Sequence, residues 1–351
     1  MIIRHVLVRW RNTGADRGRR LRAGLTAAVA ASLACATPAA AQSAPAAPGW
    51  IFTAPDAASA WFATLDAARL TAPGALPFYR GSVAADPALH AALAAPAFEI
   101  LHFVPLYYPS ASRDALVRAV RSAAATNPVP PTPRAAFVVG ALHAALPAAS
   151  QRLALIALAD AVSRQPPGRA SGDANGDANG GVSALSLERW QREWNERFAP
   201  ALAPYLASER LDGGVVMVVD ALGAEGRLFA GRPADRTDNV AAVGTFGLSA
   251  VADAPLFALV RELCFPLVTR AGGEDNARRG SRLDAARRSG ILAVRCGAEL
   301  LDQFLPSEAA GYRAHWRQAG GASVDFDTLF PADSVVAPRL HAAIARLARS
   351  P

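Results

Sequence analysis

Two periods of apolar and polar positions run along this chain, and the switch between them marks its elements. "TAPDAASAWFATLDAARL" carries Trp61, Phe62, Leu65 and Leu70 at helical spacing behind Asp56, which predicts a first helix. "AFEILHFVPLYYP", residues 97–109, is rich in aromatic and branched residues and closes on Pro109, which predicts a strand, central in its sheet. An amphipathic helix with a Ser/Asp start follows, then the break "NPVPPTP", then one long apolar helix over about 134–164. From Ser186 a further helix sets Trp190, Trp194 and Phe198 four residues apart on one face, the spacing of a core stripe. "GGVVMVVDALGAEGRLFAGR" reads as a Val-rich strand, a turn with Gly223 and Gly226, and a second strand, and "DNVAAVGTFG" adds a shorter third. A greasy helix over 256–268, a long helix over about 283–305, "EAAGYRAHWRQA" and "PRLHAAIARLARS" complete the chain. Strands interspersed with covering helices predict an α+β fold with a small mixed sheet.

Charge changes the picture less than its total implies. The 351 residues carry a formal +7 and 52% hydrophobic residues, enough for a sizeable core. Seven of the 36 basic residues and one of the 29 acidic ones precede the first apolar run, which leaves 29 against 28 downstream. A near-neutral remainder has no electrostatic footprint for nucleic acid. The leader itself has a basic start, an apolar stretch over about 23–33 and small residues at Ala39 and Ala41, the pattern of a signal peptide over 1–41. The stretch is too short for a spanning helix, so an exported chain, periplasmic or secreted, with no membrane span after signal removal, is expected. "RGRRLRAGL" faintly matches a twin-arginine export signal, and "SLAC" sets Leu33 one place too close to Cys35 for a lipobox, leaving lipid anchoring a minor option.

The remaining chain divides into 42–164, a helical and β part of the domain; 165–185, a flexible loop; and 186–351, the core and C-terminal helices. "DANGDANGG" in that loop spaces Asp173, Asn175 and Asp177 like calcium ligands, but Ala178 and Ala184 stand where an EF-hand needs Gly and Glu. There is no P-loop, and "GLSAV" around Ser249 lacks the second Gly of a nucleophile elbow. His90, His102, His143, His315 and His341 are scattered singly. What stands out is "LFALVRELCFPLV", where Arg261 and Glu262 lie side by side in an otherwise apolar helix.

Over 186–305 the order of elements, the "RELCF" helix and the later "AVRCGAELLDQF" helix resemble the gluzincin type of zincin metallopeptidases. In that family a HExxH helix supplies two histidines, a later helix supplies a glutamate, and the Glu after the first His polarises a zinc-bound water. Here the motif positions read Arg261, Glu262, Leu263, Cys264 and Phe265, with Glu299 in place of the third ligand. Glu262 and Glu299 match in kind, whereas Arg261 and Phe265 have replaced both histidines. The resemblance therefore implies a degenerate domain that holds no cofactor, although zinc is expected in active relatives. Arg261 would stand in for the metal by pairing with Glu299, and Phe265 would fill the second imidazole's volume. If Arg261 faces Glu299, Cys264 and Cys296 meet across the same helix pair, which makes them a disulfide candidate. Tyr312 and His315 would be remnants of an electrophilic pair.

These residues imply an inactive homologue that binds a peptide or protein, taken up as an extra strand beside the Val216 to Val219 strand. Two alternatives stay open. One is an active metallohydrolase with other ligands, His315 with Glu299 and Glu262. The other is an envelope scaffold unrelated to zincins, which would lack the strand and helix layout over 186–305.

Overall fold

A strand with apolar residues at every position has two faces to cover, and the Val-rich run is covered on both. The computed structural model describes residues 49–70, 84–93, 98–166, 182–231, 239–246, 252–272, 282–321 and 323–349. The chain divides into two units, Met1–Ala47, which lies outside the described residues, and Pro48–Pro351. The expected signal peptide over 1–41 and the expected loop with Asp173, Asn175 and Asp177 lie outside the described residues.

In chain order the second unit comprises β1 (Trp50–Thr53), α1 (Asp56–Ala67), α2 (Pro87–Leu93), a 3-10 turn (Phe98–His102), α3 (Val104–Tyr107), α4 (Arg113–Ala124), α5 (Pro133–Ala145) and α6 (Ala149–Arg164). It continues with α7 (Ala184–Glu193), a π-helical turn (Trp194–Phe198), α8 (Ala199–Glu209), β2 (Gly214–Val218), β3 (Gly226–Phe229) and β4 (Val240–Val243). The C-terminal part is α9 (Ala254–Leu263), α10 (Phe265–Gly272), α11 (Arg282–Phe304), α12 (Pro306–Ala319), α13 (Phe326–Leu329) and α14 (Val336–Arg349). The class is α+β, and the described strands form a four-stranded mixed sheet in the order β1-β2-β4-β3. β1, β2 and β4 are parallel, and β3 runs antiparallel along β4 at the edge.

Side chains alternate between the two faces. Val216, Val218, Ala241 and Val243 face a core built with Trp190, Trp194, Phe198 and the helices from α9 onward. Met217, Val240 and Ala242 face a second core built from the N-terminal helices. The aromatic stripe of α7 is thus core, as its spacing predicts.

Three expectations are corrected. Residues 98–107 form no strand: they are the 3-10 turn and α3, with Pro105 near the helix start. Proline lacks the N–H that a central strand must donate, yet fits a helical first turn. Ile100, Leu101, Val104 and Leu106 instead enter the N-terminal core. The strand that pairs with β2 on the side away from β4 is β1, an edge strand whose four residues are too few for the period to register. The long helix over 134–164 is two, because Pro147 interrupts it between α5 and α6. Pro266 divides α9 from α10 in the same way. Serine and threonine caps fix the starts of α4 and α5: Ser112 and Thr132 accept from the amides of Ala115 and Ala135.

The sheet's edges differ. Gln191 of α7 accepts from the Phe52 amide at 3.0 Å and donates to the Trp50 carbonyl at 2.6 Å, so β1 is sealed on its outer side. At the other edge, the Gly244 amide donates to the Glu225 carbonyl, which turns residues 225, 227 and 229 toward β4. Gly226 and Leu228 consequently point their backbone groups outward. Among the described residues no helix is long and apolar enough to cross a membrane.

Candidate functional site

The buried charges of α9 meet those at the start of β3. Ten consecutive residues of α9 are buried, Arg261 and Glu262 included, because the helix is enclosed by the sheet, α11 and α12. A buried guanidinium needs counter-charges, and two carboxylates provide them. Arg261 Nη1 lies 2.5 Å from Glu262 Oε1 and 3.6 Å from Glu225 Oε2. Arg227 Nη1 reaches the same Glu225 oxygen at 3.3 Å and also donates to the Gly226 carbonyl. Two acids and two bases thus share one cluster, each member under one-tenth exposed.

The planar face of Arg261 is occupied as well. Its guanidinium carbon sits 5.1 Å from the Phe265 ring centre and 5.5 Å from that of Trp316. Both distances are within cation–π range. Gly226 makes room for the cluster: a Cβ there would stand 2.5 Å from Glu262 Cγ, which no side chain tolerates. Burial works against the charge of Arg261, but the nearby Glu262 and Glu225 carboxylates together raise its pKa above the ordinary value. Glu262 is different. Burial pushes its pKa up to about 7, against the lowering pull of Arg261 and Arg227. Arg227 also lies near the buried His102, whose pKa burial and that charge hold well below the ordinary value.

The expected partner of Arg261 is not its partner. Glu299 pairs with His341 of α14 and lines a surface groove of about 600 Å³ with Arg295, Asp302, Arg313 and Asp327. Three helical residues advance about 300°, so Glu299 lies some 60° round α11 from Cys296. That offset carries it from the core to the flank against α14. Cys296 itself is fully buried, as is Cys264, and both are free thiols lying against each other. The Phe265 ring lies against the Arg261 guanidinium.

Tyr312 and His315 sit deeper in the same core. The Tyr312 hydroxyl donates to the Val294 carbonyl at 3.1 Å and fits over Gly297, where a Cβ would stand 2.2 Å from it. His315 packs against Phe257 and Trp316, neither ring nitrogen has a hydrogen-bond partner among the described residues, and burial lowers its pKa to about 4. His315 and Glu299 therefore face different surroundings, which removes them as co-ligands with Glu262.

Zinc does not fit these residues. A guanidinium and a phenyl ring donate no lone pair to a metal, and the third acid is bound elsewhere. Among the described residues no group of three or more His, Cys, Asp or Glu side chains gathers as a metal site. The sequence reading missed Glu225 and Arg227, the two charges that complete the cluster. Their one local signal was a pair of charges flanking a glycine at a strand start. Compared with protein families, with curated proteins and with solved structures, the chain matches none.

Proposed function

We propose that this is an exported zincin-like domain whose metal position has been rebuilt around Arg261, and that it acts by binding an extended peptide along the outer edge of β3. The zincin reading is supported by a mixed sheet with an antiparallel edge strand, by a buried helix beside that strand and by Glu262 reaching Gly226. The strand and helix layout over 186–305 also disfavours the unrelated scaffold.

The peptide site differs from the one expected at Val216 to Val219. β2 is hydrogen-bonded on both sides and has no free edge to offer. The observation that carries the binding reading is the contrast between edges: Gln191 occupies β1, while the outward backbone groups of Leu228 have no partner among the described residues. Such groups are the template for strand addition.

The test is hydrogen exchange and calorimetry of the purified chain with a library of extended peptides. Binding should protect the Leu228 amide. Leu228→Pro, which removes an outward N–H and no ladder bond, should abolish binding while leaving circular dichroism unchanged. Binding that survives Leu228→Pro would sink the proposal. About one zinc per chain, with chelator-sensitive peptide hydrolysis lost in Glu262→Gln, would establish the active-hydrolase reading instead.

A further inference from the structure

Cys264 and Cys296 are distant in sequence and adjacent in space. Cys264 caps the C-terminus of α9, where its amide donates to the Arg261 carbonyl at 3.1 Å. The neighbouring Leu263 carbonyl accepts from the Tyr205 hydroxyl at 2.7 Å. Cys296 lies at the middle of α11, and both sulfurs are sealed in the core that packs α9 on α11. Neither thiol has any accessible surface in the packed chain. Burial and the nearby Cys296 thiol push the Cys264 thiol well above its ordinary pKa, so the packed chain holds almost no thiolate there.

We propose that Cys264 and Cys296 are a disulfide site that is closed while the chain folds, before α9 and α11 pack, and that is inert to oxidants afterwards. The oxidant is a small-molecule or protein disulfide. The thiolate of one cysteine attacks a sulfur of that disulfide and expels the first thiolate of the oxidant. The second cysteine's thiolate then attacks the mixed disulfide and expels the other. Two cysteine thiols are oxidised to one S–S bond, one external disulfide is reduced to two thiols, and the two protons pass to the leaving thiolates. The bond would tie the turn bearing Arg261 and Glu262 to α11. It stands independently of peptide binding.

Full-length chain carrying Cys35→Ala, so that this pair alone remains, tests the proposal. It is unfolded under reducing conditions and refolded in oxidised and reduced glutathione. It is then unfolded in an alkylating agent and digested with trypsin. The expected product links Glu262–Arg270 to Cys296–Arg313 and lacks two hydrogens relative to the free peptides. Its thermal midpoint should exceed that of the reduced chain by on the order of 5 °C. Folded reduced chain given the same glutathione should keep both thiols for hours. Two alkylated cysteines after oxidative refolding would overturn the site, and rapid oxidation of folded chain would overturn the order of events. Should refolding fail, the same peptide map on chain produced in an oxidising and in a reducing compartment decides it: no linked peptide from the oxidising one overturns the site.

Discussion

Arg261 holds two carboxylates in one buried place, and its removal would leave Glu225 and Glu262 facing each other. Arg261→Met should therefore destabilise the chain by about 3–5 kcal/mol in denaturant titration, and adding Glu225→Gln and Glu262→Gln should recover much of that loss. Glu262 and His315 make opposite contributions to the pH dependence. The folded-state pKa of Glu262 is raised from 4.5 to about 7, so its contribution is complete below pH 4.5 and lost as pH rises through 7. That of His315 is lowered from 6.5 to about 4, so its contribution is complete above pH 6.5 and lost as pH falls through 4. Each is worth on the order of 3 kcal/mol, and between pH 4.5 and 6.5 they cancel. Glu262→Gln should unmask a stability that rises with pH in this window, and His315→Phe one that falls. Equal profiles for both variants would show that neither group is perturbed by burial.

Between elements, single side chains and single glycines decide how closely the parts approach. Gly297→Ala puts a methyl into the Tyr312 hydroxyl and should cost about 1–3 kcal/mol by pushing α12 off α11. Tyr312→Phe in the same background should relieve part of that cost, which a double-mutant cycle reads directly. Helices were legible from their apolar spacing and their Ser, Thr and Pro starts, since those signals act within a few residues. The segment over 98–107 was not, because a short aromatic run fits a strand or a buried helix equally, and Pro105 was the discriminating residue. The site was half legible for a similar reason. Two charges in an apolar helix announced themselves, but their counter-charges come from β3, and no local pattern encodes a pairing made by the sheet. The position of Glu299 was misjudged by a sixth of a turn.

At the scale of the whole molecule, the sheet is a partition between two cores, and both depend on the same four strands. Loss of β1 would withdraw Trp50 and Phe52 from one core and unpair β2 on the side away from β4. Unfolding of the Pro48–Pro351 unit should accordingly be a single transition, seen at the same denaturant concentration by tryptophan fluorescence and by circular dichroism. The Gln191 seal sets something further, the number of neighbours a chain can recruit. With one edge closed, a copy that meets another edge to edge uses up the open side of both, so association terminates at a pair. Gln191→Ala would give each chain a second open side, and two-sided units propagate. Light scattering of that variant should grow with time and concentration, whereas the parent should stop at the mass of a dimer. One amide side chain would thus mark the difference between a capped unit and the monomer of a fibre.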